Sequence, residues 1–193
     1  TAWGERSLVA AAQRLFVAAI NDGCDAMVLL SGDMLPLYPF AWIQAFCRQT
    51  RLALQPRVGL SERQVRANAE RFVQIAPYFG LSVDQLRKQN MFFVIQREAI
   101  CRIIESASVD DFPLLHLADE YYWVNHLIRI GAEWQPSNVV FCNSDPTRTQ
   151  AQVMHLTPAL LERCRNDDYG FIRKITSLDD QVRADLQAVY ESI

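Results

Sequence analysis

Three places along the 193 residues combine side chains that could do chemistry. Asp119-Glu120 heads an apolar-periodic segment, where the positive end of a helix dipole favours an ionised carboxylate able to accept a proton. The same two acids are also what any helix start prefers. Ser31-Gly32-Asp33 ends a short apolar run at residues 26–30. In open α/β sheets ligands sit just past a strand's carboxyl end, although a plain turn would use Gly32 for backbone freedom and Asp33 for local hydrogen bonds. Arg173-Lys174 offers adjacent cations that could stabilise negative charge developing on a leaving group. In an extended segment the two point to opposite faces, so one of them is expected to serve, and a solvated basic pair is the plainer alternative.

Other chemistries find less support. There is no Asp-x-Asp pair, and His116, His126 and His155 have no ligand spacing, so they read as surface or hydrogen-bonded residues and no metal is expected. The five cysteines, Cys24, Cys47, Cys101, Cys142 and Cys164, are odd in number, far apart and without a C-x-x-C pair. They read as free, mostly buried thiols, which favours a reducing compartment. A net charge of -3 with basic and acidic residues interspersed gives no stripe for a phosphate backbone, so nucleic acid is not an expected partner. No apolar run approaches the roughly 20 residues that span a bilayer, and no basic and apolar leader opens the chain. A hydrolase or phosphatase using Asp33 would need a nucleophile elbow, a second carboxylate motif or a phosphate loop, and none is present.

The elements that must position these residues alternate between helix and strand, an α/β signature in one domain. Ser7 is read as the cap of a first helix with Leu8, Ala12, Leu15 and Phe16 on one face. Residues 26–30 form a short continuous apolar run, expected as a central strand. Pro36 and Pro39 precede a short helix at 41–47, and 52–58 reads as strand or extended loop. Ser61 with Gln64 caps a helix expected to end before Pro77, and Ser82 starts another short helix. Further expectations are a strand at 91–95, helices at 98–105 and 119–130, and a strand at 138–142. A helix starts at Thr157-Pro158, an extended stretch covers 171–175, and a closing helix spans 179–193 with Val182, Leu186 and Val189 inward.

Four segments, in this order, carry a family likeness. The opening Trp3-Gly4-x-x-Ser7-Leu8-Val9 leads through a helix to Val28-Leu29-Leu30-Ser31-Gly32-Asp33-x-Leu35-Pro36-Leu37. Asn90-Met91-Phe92-Phe93-Val94-Ile95-Gln96-Arg97-Glu98-Ala99 follows, then Ala118-Asp119-Glu120-Tyr121-Tyr122, then Phe171-Ile172-Arg173-Lys174-Ile175. Together they resemble the core-2/I-branching and xylosyltransferase family, glycosyltransferase family 14. The resemblance implies a GT-A-like mixed sheet flanked by helices and an inverting transfer from a UDP-sugar to a glycan hydroxyl. N-acetylglucosamine or xylose is the sugar by analogy. Glu120 aligns with the family's general base. Lys174, with Arg173 beside it, aligns with the site of the diphosphate, and Arg148 falls where relatives place a further diphosphate-binding arginine. Ser31, Gly32, Asp33 and Asp119 fall in donor-binding segments, and Tyr121 and Trp134 are candidate platforms for the acceptor. Relatives of the core-2 type use basic residues in place of a metal, which leaves the UDP-sugar as the only co-substrate.

Two departures accompany the likeness. Phe92 and Phe93 stand where Gln-Trp is usual, which bears on acceptor identity. The family places a nucleotide-binding βαβ region upstream of the Trp-Gly step, so the 193 residues are read as one N-terminally incomplete domain. A sugar-binding or scaffold module of the same fold is the alternative to an enzyme. The expected compartment is a bacterial-type cytoplasm, or the Golgi lumen for a eukaryotic member, with membrane contact at most peripheral.

Overall fold

The computed structural model describes residues 4–55, 60–143 and 152–191. Trp3 and Arg148 lie outside them. In chain order the elements are α1 (Arg6–Asn21), β1 (Ala26–Val28), β2 (Leu35–Pro36), α2 (Phe40–Phe46), β3 (Arg51–Leu54), α3 (Glu62–Phe79) and β4 (Gln89–Gln96). There follow α4 (Arg97–Ser106), a single 3-10 turn (Val109–Asp111), α5 (Asp119–Arg129), β5 (Gln135–Pro136), β6 (Val140–Cys142) and β7 (Met154–Leu156). The chain closes with α6 (Pro158–Asn166), β8 (Phe171–Arg173), β9 (Ile175–Leu178) and α7 (Asp180–Glu191). The class is α/β, with helices packed on small mixed sheets.

Local chemistry explains some of the helix boundaries. The Ser61 hydroxyl accepts from the Gln64 N–H while the Gln64 side chain accepts from the Ser61 N–H, a reciprocal cap at the start of α3. Pro77 does not stop this helix. It continues to Phe79 and ends where Gly80 adopts φ 64°, a left-handed conformation that costs glycine little. Ser7 lies inside α1, whose N-cap is Glu5 without a side-chain cap bond. Ser82 opens only a turn, closed by the Gln85 N–H on the Ser82 carbonyl, because the chain must enter β4 a few residues later. Thr157 caps α6 through the Leu160 N–H, with Pro158 at the first helical position.

The strands fall into three sheets, ordered β1-β4-β3-β5, β2-β8-β6 and β7-β9. In the first, β4 is antiparallel to both β1 and β3, while β5 runs parallel to β3. The apolar run at 26–30 therefore supplies an edge strand, not a central one: only residues 26–28 form β1, and Leu30 is 40% exposed. The central position belongs to β4, whose apolar residues are needed on both faces. Alternation along the strand sends Phe93 and Ile95 into one core and Phe92 and Val94 into another. The first core is built with α1, α3, α4 and α5; the second joins α2, β6 and β8. A third cluster unites Leu37, Leu156, Leu161, Ile172, Val182 and Leu186 under α6 and α7.

The helix that carries the predicted base is central to the first core. From Tyr121 to Leu127 every residue of α5 is buried, with Trp123 edge-on to Phe16 at 5.1 Å and Tyr122 against Phe112 at 5.2 Å. Both Tyr122 and Trp123 are core residues, although adjacent positions on a helix do not share a face. No helix among the described residues is long and apolar enough to cross a membrane.

Candidate active site

Glu120 sits in the first turn of α5 with its carboxylate partly open to solvent. Its Oε2 lies 2.8 Å from the Lys88 ammonium, and the two side chains are 22% and 15% exposed. Lys88 immediately precedes β4, and its carbonyl accepts from the Gln55 N–H. A cleft of about 360 Å³ opens here, lined by Gln55, Asn68, Phe72, Asp84, Arg87 and Lys88. The backbone leading to Glu120 is braced. Leu117 holds φ 66°, sparsely populated for a leucine, and its carbonyl accepts from the Glu120 N–H at 3.0 Å. Gly4 accepts from the Ala118 N–H, and a Cβ on Gly4 would stand 3.0 Å from His116 Cε1. The glycine of the opening motif thus serves the entrance to the helix that carries Glu120.

Three residues assigned to ligands are placed elsewhere. Asp119 is 4% exposed, so its carboxylate faces the interior and cannot meet a donor. Burial, then the negative charge of Glu120, pushes its pKa up to about 6. Tyr121 is fully buried, donates its hydroxyl to Asn68 Oδ1 at 2.8 Å and has no open face for a sugar ring. Trp134 packs half-buried against the first core and lines a separate cleft with Thr50, Gln96 and Gln135. That cleft lies at the end of β4 opposite Lys88, so Trp134 does not join Glu120.

The second locus lies where β1 and β8 end. The Asp33 carboxylate accepts from the Ser31 hydroxyl and forms an ion pair with Arg173 Nη2 at 3.2 Å. Burial acts to raise the Asp33 pKa, but the Ser31 hydroxyl and Arg173 prevail and hold it below the ordinary carboxylate value. Gly32 is not in a left-handed conformation and a Cβ there would meet nothing, so this turn does not depend on glycine. The Arg173 guanidinium lies over the Phe92 ring at 4.7 Å, and its Nε has no hydrogen-bond partner among the described residues. Cys142, paired in register with Arg173, is within electrostatic range of Arg173, Asp33 and Lys174. Burial nonetheless raises its thiol pKa. Lys174 is half-buried beyond the end of β8 and makes no ion pair with a described residue.

Strand β4 relates the two loci. Leu29 donates to the Phe93 carbonyl, so the chain leaving β1 runs towards the beginning of β4. Lys88 holds Glu120 at that end, and Phe92 carries Arg173 four residues on, about 13 Å away at the rise of a strand. The candidate base and the candidate cation are thus anchored four residues apart along one stretch of chain, the base on the side of the sheet covered by α5 and the cation on the side that carries Phe92. Lys88 was not singled out from the sequence, and Phe92 only as a departure from the family likeness. Nothing in local spacing ties Lys88 to a helix more than 30 residues later in the chain.

Two histidines are held by contacts within the fold. His126 is buried beside Tyr78, and burial drives its pKa down to about 3, keeping the ring neutral. His155 Nδ1 bonds Ser177 at 2.8 Å. Among the described residues no three His, Cys, Asp or Glu side chains gather into a cation-binding group. The cysteines are unpaired; Cys164 is buried and Cys24 exposed, with the others between, so fewer are buried than expected. No family model and no curated protein matches the chain.

Proposed function

We propose that this chain is the catalytic part of an inverting glycosyltransferase with a GT-A-like arrangement, moving a sugar from a UDP-sugar to a glycan hydroxyl. The observation that carries this reading is the Glu120 carboxylate, partly open to solvent in the first turn of α5 and held at 2.8 Å by Lys88, which also lines a cleft. An acceptor hydroxyl entering the cleft beside Lys88 gives its proton to Glu120 as its oxygen attacks the anomeric carbon. The bond to the diphosphate breaks on the opposite side of that carbon, and Arg173 and Lys174 offset the charge that the leaving UDP acquires. No metal is required in this scheme, because the two cations do that work. Lys88 orients the Glu120 carboxylate through the ion pair.

The second reading, a sugar-binding module without turnover, is favoured by a specific observation: Glu120 and Arg173 both have internal ion-pair partners, Lys88 and Asp33. Calorimetry with UDP, with and without Mn²⁺, separates the two on the wild-type chain, Lys174→Ala and Glu120→Gln. The enzyme reading expects metal-independent UDP binding that is lost in Lys174→Ala and kept in Glu120→Gln. With UDP-N-acetylglucosamine or UDP-xylose as donor, Glu120→Gln is expected to lower transfer by a factor of about 10² or more. Unchanged turnover in that variant would remove Glu120 from the mechanism, and absence of UDP binding from the wild-type chain would favour the module.

A further inference from the structure

A second cleft, of about 640 Å³, adjoins the same end of the β3–β4 ladder, with Leu54 and Asn90 in its wall. Its volume lies within the range of small-molecule sites. Its polar lining includes Arg51, Asn90, Asn138, Asp167 and Asp168, and Trp42 contributes to its apolar wall.

Three features select the class of ligand. The first is charge. One guanidinium faces two carboxylates, so a phosphate or other polyanion meets net repulsion here, unlike at Arg173 and Lys174. The second is unspent hydrogen-bonding capacity of both kinds. Arg51 is fixed by its Nε bond to the Phe46 carbonyl at 2.7 Å and by lying over the Phe46 ring at 4.4 Å, which leaves Nη donors over. Asn138 donates to the Asp167 carbonyl and keeps its amide oxygen. The Asn90 amide and the Asp168 carboxylate have no hydrogen bond to any described residue. Asp168 is exposed and held at φ 56°. The third is the aromatic wall. Trp42 is stacked nearly parallel with Tyr38 at 3.8 Å and with Phe46 at 5.0 Å, so its faces are taken and a nucleobase has no ring to lie on. A ligand suited to this lining is uncharged, carries many hydroxyl groups and needs donors and acceptors in equal measure.

We propose that this cleft is a saccharide-binding site taking a neutral sugar unit, with Asn90 and Asp168 as its main hydrogen-bonding side chains. Asn90 stands on β4 between Lys88 and Phe92, two residues from each. A glycan seated here lies on the face of β4 that carries Phe92 and Arg173. Its part in catalysis, as the portion of the acceptor remote from the attacked hydroxyl, rests on the transferase reading; the binding itself does not.

The test is a two-dimensional NMR titration of the chain with lactose, chitobiose and xylobiose, and with inorganic pyrophosphate as the anionic control. At least one disaccharide is expected to shift the Trp42 indole and Asn90 side-chain amide signals, and pyrophosphate to leave them in place. Asn90→Ala combined with Asp168→Gly, which tolerates the left-handed backbone, is expected to weaken that binding about tenfold or more. The proposal fails if no disaccharide moves these signals, if the double variant binds as well as the wild-type chain, or if pyrophosphate displaces the sugar. Sugar binding here in a chain that binds no UDP would overturn the transferase reading and leave this one standing.

Discussion

Glu120 reaches solvent with Lys88 2.8 Å from its carboxylate, while the adjacent Asp119 is 4% exposed and its Oδ1 has no hydrogen-bond partner among the described residues. This difference gives Asp119 a measurable signature. Its pKa rises from an ordinary 3.8 to about 6 on folding, through burial first and the charge of Glu120 second. A raised folded-state pKa means stability that is fully present below the unfolded value and is lost as pH rises through the folded one. Above about pH 6 the buried carboxyl must ionise in place, at a cost on the order of 3 kcal/mol. Asp119→Asn removes that cost, so its melting temperature should exceed the wild-type value at about pH 8 and approach it near pH 4. Melting curves that stay parallel over this range would show that Asp119 does not titrate in this way. Helix-start chemistry alone made Asp119 and Glu120 equivalent, and only the family likeness set Glu120 apart. What separates them is which side of the helix faces the core, and that depends on α1 and α3, far away in the chain.

Elements were legible where their signals are local. The Ser61–Gln64 pair announces the start of α3, and the structure closes both of its hydrogen bonds. Ser61→Ala should therefore cost about 1 kcal/mol of stability, read as a lower denaturant midpoint with an unchanged slope. No change in midpoint would mean that the helix start is held by tertiary packing alone. Boundaries set by remote partners were less legible. Residues 26–30 read as a buried strand, but whether a strand is central or at an edge is decided by what pairs with it, here β4 on one side only. Two- and three-residue strands such as β2, β5 and β7 carry no period to detect. Pro77 marks a stop by its chemistry, yet α3 keeps its last turn because Ile75 and Phe79 are anchored in the core.

At the scale of the molecule, the candidate site joins positions that local patterns cannot relate. Asp33 meets Arg173 across 140 residues, and Glu120 meets a lysine on another element. Individual charges could be read from the chain, but their pairing could not. The strand that relates them also sets a difference in time. Along both edges β4 is hydrogen-bonded, to β1 and β3, and over residues 92–95 both of its faces are apolar and buried. Its amides should exchange with deuterated solvent only through global opening, whereas the Ser31–Asp33 turn leaves an edge strand and should exchange through local fluctuation. Exchange mass spectrometry should thus show residues 93–95 among the slowest and residues 31–34 among the fast, and equal protection of the two would refute the edge assignment. Phe92, under Arg173, then belongs to the last region to open and Asp33 to one of the first. The Asp33–Arg173 contact accordingly has one slow partner and one fast one, and its lifetime is set by the turn and not by the strand.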